Sequence, residues 1–334
     1  MVSKIFPRTS AGAPTTPLSS AEDADEGDGS SRPGRPASVF AAGRPSGHGS
    51  GQGRGGRSVF TTMTLPLSQQ SPDAVRTALF EAVTAVGHEA VALLAGCRGD
   101  APIPGAEWTV AEAAAHLAMV NELMAALAAG EERPYGDGTP GSLAAANAAS
   151  LAERPERDPA VLAEEIARQA RAFTAAAGPR DGTEPVVTPL GPMSLDILGS
   201  YLLTHMLGHL YDIAVALGRP HPIDRHRAEL AIPFIRTAMP WVVDARAAAG
   251  HHACYRLRVR GLDGFAATFT DGAAVVSQDP PRRPDCTILT GPVAFLLIAL
   301  GRYSATDALL RGNVLAWGRR PWLALDFPRL FKAP

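Results

Sequence analysis

Apolar residues recur with helical spacing over four long stretches in the first two thirds of the chain. Ser71 and Pro72 form a helix-start signal, and Gly218 with Pro220 forms a stop signal. The pattern predicts long helices over residues 71–96, 109–129, 158–178 and 195–217, with a shorter helical segment over 142–153. Four long helices in this order predict an up-down bundle, whose core can hold metal ligands from facing helices.

The pattern changes to alternation with period two near residue 255. Asp271 and Gly272 lie between two such segments and are typical of a tight hairpin turn. Helices are predicted over 224–248, 292–300, 305–311 and 321–331, and strands over 255–260, 265–269, 273–276, 286–290 and 313–317. Strands followed by helices describe a small α+β domain, so the fold class is α+β with more than one domain.

The first 70 residues differ in composition from the rest of the chain. They are rich in Gly, Pro, Ser, Arg and acidic residues, which bury too little apolar surface to offset the entropy of ordering. They contain no apolar run like that of a secretory signal peptide. We expect a disordered tail, or a translation start at Met63. The expected organisation is a tail over 1–70, a bundle over 71–220, a connecting helix over 221–250 and an α+β domain over 251–334.

Composition excludes some functions and narrows the location. The 334 residues carry a net charge of −2 and no concentrated basic face, which argues against nucleic-acid binding. Three scattered cysteines without a CxxC pair fit a reducing, cytoplasmic location. The predicted helix over 195–217 is long enough to cross a bilayer, but its ionisable residues favour a buried bundle helix over a membrane span.

Three histidines form the candidate metal site. His205 and His209 are one turn apart on a predicted helix and therefore share a face. His116 lies on another apolar helix, and three nitrogen ligands leave the fourth position of a zinc ion open. The alternative is that each is an ordinary core or surface residue. Asp212 shares the face of the pair and either orients an imidazole or pairs with an arginine.

Other candidate residues have simpler explanations. Glu112 is three residues after Thr109, and a capping box accounts for it without chemistry. Trp108 is interpreted as a packing residue. The remaining histidines downstream of the tail lack ligand spacing and are expected to be exposed or structural: His88, His221, His226, His251 and His252. The chain contains no GxGxxG, P-loop, GxSxG or HExxH motif, so nucleotide binding and serine-hydrolase chemistry have no support.

Two motifs resemble a known family. The segment from Trp108 to His116 resembles the "WT…HL" helix of DinB-like bundles, more specifically of the mycothiol-dependent maleylpyruvate isomerase family. In the second motif that family carries a metal ligand, a His four positions later, and then an Asp. His205, His209 and Asp212 occupy these positions here. The resemblance covers residues 71–220 and implies a DinB-like four-helix bundle that binds a metal. The isomerase itself is expected to have Glu where His205 stands, so a three-His site would leave the metal a stronger Lewis acid.

Residues 253–332 resemble a sterol-carrier-type domain through short segments at 286–291, 300–302 and 310–314. Asn313 stands where that family carries Asp. In the isomerase family a related domain contributes to the active-site cleft, and the resemblance implies that Arg302 or Arg311 binds a substrate carboxylate. Two surface arginines are the alternative, which we prefer.

The motifs and the resemblance together predict a mycothiol-dependent metalloenzyme, either an isomerase or an S-transferase. Zn²⁺ or another divalent metal on His116, His205 and His209 would activate mycothiol, or another low-molecular-weight thiol, as a thiolate that attacks a small electrophile. The alternative is a non-catalytic protein that binds metal in the bundle and an apolar ligand in the sterol-carrier-like domain. In that case the apolar helix over 292–300 would line a lipid cavity.

Overall fold

The structure is a computed structural model that describes residues 67–137, 142–279 and 283–332. The predicted tail therefore lies outside the described residues as far as residue 66. Its last part is ordered, because Leu67–Gln69 form a short 3-10 helix and Leu67 is buried in the core. The described structure mixes helices and sheets, as the α+β prediction requires.

The predicted helices of the first two thirds of the chain are all present. They are α1 Pro72–Leu94, α2 Val110–Ala128, α3 Leu143–Glu153, α4 Pro159–Ala177 and α5 Leu195–Leu217. Ser71 caps α1 as the sequence suggests, since its Oγ accepts a hydrogen bond from the Ala74 N–H at 3.2 Å. Gly218 ends α5 with φ of 62°, a left-handed conformation that favours glycine.

The packing of these helices depends on small residues. α2 and α4 contact each other closely, and α1 packs on α4 and α5. At Gly87 of α1, a Cβ would lie 2.9 Å from the Cβ of Ala170 in α4, so only glycine permits this helix separation. α1 and α2 have the length and apolar composition of a membrane span, which core helices also have, and α2 is mostly buried.

A two-stranded hairpin between α4 and α5 has no counterpart in the sequence predictions. β1 Pro185–Thr188 pairs antiparallel with β2 Gly191–Ser194. Each strand has only four residues, and a proline lies in each, which hides the alternation typical of strands. The Thr188 hydroxyl donates to the Gly191 carbonyl at 2.7 Å and closes the turn.

The connecting helix is shorter than predicted. α6 spans Arg225–Ala238 and is followed by a 3-10 helix, Met239–Val242, instead of continuing to residue 248. Pro240 explains the early end, because proline has no N–H with which to continue the hydrogen bonds of the α-helix. A second proline, Pro233, lies inside α6. There the Ser200 hydroxyl of α5 accepts from the Phe234 N–H at 3.1 Å and donates to the Leu230 carbonyl at 2.7 Å.

The C-terminal part contains a five-stranded sheet in the order β5-β4-β3-β6-β7. β3 and β6 are parallel, and the other neighbours are antiparallel. The strands are β3 Ala253–Val259, β4 Phe265–Thr270, β5 Ala273–Ser277, β6 Cys286–Thr290 and β7 Val314–Trp317. Asp271 and Gly272 both have positive φ, as the predicted hairpin turn requires.

Three helices accompany the sheet: α7 Pro292–Ala299, α8 Ala305–Leu310 and α9 Leu323–Asp326. The predicted last helix over 321–331 is wrong in length, because α9 gives way to a 3-10 helix at Phe327–Leu330 that contains Pro328. α7 packs on α6, with Leu296 in the core of the helical region and Phe295 in the core beneath the sheet. This position favours a core role for α7 over a lipid-lining one.

Candidate metal centre

Three imidazoles from two helices meet inside the helical region. His116 comes from the middle of α2, and His205 and His209 come from successive turns of α5. Their side chains are 0%, 0% and 2% exposed, and one nitrogen of each lies within 4.8 Å of the others. The Nε2 atoms of His116 and His205 are 3.2 Å apart. The structure thus brings together all three histidines that the sequence predicts as ligands.

Burial disfavours the protonated form of two of these imidazoles. It lowers the pKa of His116 to about 3 and that of His205 well below its usual value. Electrostatic repulsion from His116, when that ring is protonated, and from Arg302 lowers the pKa of His205 further. Neutral imidazoles at pH 7 have a free lone pair for a metal and do not repel a cation.

The donor set fits a divalent metal. Bonds of about 2.0–2.1 Å from nitrogen to tetrahedral zinc place two ligand nitrogens about 3.3 Å apart. The separation between the two Nε2 atoms is close to that value. His116 Nδ1 is buried and has no hydrogen-bond partner among the described residues, an uncommon state for a buried polar atom. One hydrogen bond between two rings would account for a pair, whereas a shared cation accounts for the convergence of three.

Aromatic rings enclose the cluster. The Trp108 ring centroid is 4.9 Å from that of His116 and 6.1 Å from that of His209, nearly parallel to the latter. Tyr201 meets His205 edge-on at 6.3 Å and stacks on Phe234 on its other side. Trp108 is therefore a packing residue, as predicted, but the side chains that it packs against are the candidate ligands. The sequence analysis missed Tyr201, although it lies one turn before His205 and hence on the same face.

Asp212 pairs with an arginine from the C-terminal part. Its carboxylate accepts from Arg302 Nε at 3.2 Å and from Arg302 Nη2 at 2.5 Å, and the side chains are only 9% and 1% exposed. The third arm of Arg302 donates to the Leu300 carbonyl. Asp212 thus has an arginine partner, one of the roles suggested for it, and a role in orienting an imidazole stays a prediction. Arg311 is exposed at the end of α8, and a substrate-binding role for either arginine stays a prediction.

A small cavity of about 20 Å³ adjoins His116 and His205. Two elements help to close it. One is α3, which was predicted as a short helix, and the other is the β1–β2 hairpin, which was not predicted. Its apolar lining consists of Val120, Leu123, Met124, Leu127, Leu143, Pro189 and Leu198. Its polar lining consists of His116, Tyr135, Asn147, Thr188, Tyr201 and His205. The Tyr135 hydroxyl donates to Asn147 Oδ1 at 2.6 Å.

A comparison with protein families assigns this helical region. Residues 80–214 match the family model described as the mycothiol maleylpyruvate isomerase N-terminal domain. This part of the chain belongs to that family. All three clustered histidines fall inside the match, whereas Arg302 and the five-stranded sheet lie outside it. The sterol-carrier-type domain and the domain boundaries stay predictions.

Solved structures with some similarity include two of the mycothiol-dependent maleylpyruvate isomerase. One is a histidine-to-alanine mutant at 16% identity, with 74% of this chain and 93% of that chain covered and a TM-score of 0.42. The other is also 16% identical, with 70% and 91% covered and a TM-score of 0.39.

An inverting sec-alkylsulfatase from Pseudomonas sp. is also similar, at 16% identity and a TM-score of 0.30. That match covers 42% of this chain and only 25% of the sulfatase. At such identities and TM-scores, none of the three structures adds to the family assignment. The comparison with curated proteins found no match.

The other residues considered in the sequence analysis lie outside the histidine cluster. Glu112 completes the capping box, because its carboxylate accepts from the Thr109 N–H at 2.8 Å. Burial raises the pKa of Cys97 and raises that of Cys286 to about 11, which makes both poor nucleophiles at pH 7. Four of the remaining described histidines are exposed and one is half-buried: His88, His221, His226, His252 and His251.

Proposed function

We propose that this chain is a thiol-dependent metalloenzyme that holds a divalent metal on His116, His205 and His209. Zn²⁺ is the proposed metal, and mycothiol is the proposed thiol. The proposed reaction is isomerisation of a small electrophile or transfer of the thiol sulfur to it. The convergence of three buried imidazoles is the observation that carries this proposal. Membership of residues 80–214 in the maleylpyruvate isomerase family supports the choice of thiol.

When bound, the metal would act as a Lewis acid and lower the pKa of a thiol toward neutrality. The protein's own residues prepare the site for this chemistry. Burial lowers the pKa values of His116 and His205, so that no proton competes for their nitrogens near pH 7. Trp108 and Tyr201 cover the rings and exclude water from them. Arg302 compensates Asp212, which prevents a buried carboxylate from acting as an additional charge beside the histidines.

Metal analysis tests the proposal directly. Protein purified without an affinity tag is expected to hold about one equivalent of metal, and a His205→Ala/His209→Ala variant is expected to hold none. His88→Ala is the matched control, since His88 is exposed and lies outside the cluster. A folded wild type that contains no metal and takes up neither zinc nor cobalt would overturn the metalloenzyme. The metal-loaded protein would then be assayed for conversion of electrophiles with and without mycothiol, since S-transfer consumes the thiol whereas isomerisation regenerates it.

A further inference from the structure

The lining of the histidine cavity limits the substrate of the proposed enzyme. None of the described residues that line it is Asp, Glu, Lys or Arg. A molecule in this cavity therefore contacts leucine, methionine and valine side chains, a few hydroxyl and amide groups, and two imidazole rings.

Arg302, whose charge acts on His205, is not available to such a molecule. Its guanidinium is 1% exposed and already bonded to Asp212 and to the Leu300 carbonyl. A carboxylate that lies in the cavity out of reach of the proposed metal would lose its water without gaining a counter-charge from a described lining residue. An unpaired buried charge is far more costly than a buried neutral polar group.

The cavity lining offers neutral hydrogen-bonding groups. Tyr135 and Asn147 are bonded to each other, and the Thr188 hydroxyl, held by the hairpin turn, also accepts from the Leu190 N–H at 3.2 Å. The Tyr135 hydroxyl is also hydrogen-bonded to Ser150, and each of the two hydroxyl oxygens has a second lone pair for one further hydrogen bond. These groups suit a carbonyl, ester or hydroxyl group rather than an anion.

From this lining we infer that the electrophile of the proposed enzyme is a small uncharged molecule with an apolar body and a neutral polar end, and not a dicarboxylate. The inference rests on the proposed function, which makes this cavity the substrate site. The preference for an uncharged molecule is argued from the cavity lining. A volume of about 20 Å³ holds about one water-sized group. A complete substrate therefore requires side-chain movement, for which the flexible Met124 is well suited.

The test uses two unreactive probes with one carbon skeleton, dimethyl succinate and succinate. Calorimetric titration of the metal-free full-length wild type, in which no zinc can bind a carboxylate, is expected to show at least about tenfold tighter binding of the diester. Equal or tighter binding of succinate would overturn the inference. Failure to bind either probe would overturn it as well.

Variants at one lining position attribute the preference to the cavity. Leu123 is only half-buried, so a longer side chain can be accommodated there. Leu123→Arg is expected to shift the preference toward succinate by about tenfold or more, whereas Leu123→Gln is not. A change of the same size in both variants would contradict the charge argument. Titration of the metal-free protein tests the cavity without the metal. A protein that binds no metal would therefore overturn the proposed function but would not decide this inference.

Discussion

The buried pair of Asp212 and Arg302 allows a quantitative prediction. Arg302→Met removes a guanidinium that makes two bonds to the carboxylate and one to the Leu300 carbonyl, with both side chains at most 9% exposed. Breaking such a pair from one side costs about 3–5 kcal/mol, because the remaining charge stays buried without compensation. We expect a loss of this size in the free energy of unfolding at pH 7.

The second substitution should restore part of this loss. In Arg302→Met/Asp212→Asn no charge is left buried, so the double variant is expected to be more stable than Arg302→Met alone by about 1–3 kcal/mol. Guanidinium denaturation followed by circular dichroism measures each free energy. Arg319→Met is the control, since Arg319 is 70% exposed in its pair with Asp285 and should cost at most about 1 kcal/mol. Additive effects at the two buried positions would refute the reasoning.

Three further predictions concern the pH dependence of stability, a hydrogen bond beside the proline in α6 and a contact between two helices. The metal-free protein should lose stability as the pH falls from 6.5 toward 3. In this range the unfolded chain binds a proton at His116, whereas the folded protein, in which this side chain is buried, does not. The slope is up to about 1.4 kcal/mol per pH unit for each such histidine, and His116→Leu should reduce it in a pH series of unfolding free energies. Ser200→Ala should cost about 1–3 kcal/mol in urea denaturation, because the Phe234 N–H loses its acceptor; no loss would contradict this account. Gly87→Ala should cost about 1–3 kcal/mol in the same assay, and Ala170→Gly should recover part of it, whereas additive losses would argue against a direct clash.

The candidate metal centre depends on residues from both the helical region and the C-terminal part of the chain. The histidines lie within the matched family region, but the arginine that compensates Asp212 follows α7, beyond that region. α7 itself contributes to both hydrophobic cores. Loss of the Arg302 bond is therefore expected to affect both the stability of the C-terminal part and the surroundings of His205.

Local sequence patterns predicted most of the elements, because their causes are local. Caps, proline positions and apolar spacing act within one or two turns, and they place α1, α2, α4 and α5 correctly. The spacing of His205 and His209 likewise determines a shared helix face. The errors have local causes too, since short strands with prolines and the early stop at Pro240 give weak or conflicting signals.

Only the tertiary structure decided what these residues meet. His116 and His205 are 89 residues apart, and nothing in their local patterns requires their nitrogens to lie at 3.2 Å. The partner of Asp212, the rings of Trp108 and Tyr201, and the uncharged cavity under α3 and the hairpin also depend on how helices pack. Helix formation is encoded in neighbouring residues, whereas a site is made by contacts between distant ones. The sequence by itself therefore determined which side chains could bind a metal, and helix packing decided that they converge in a neutral, enclosed pocket.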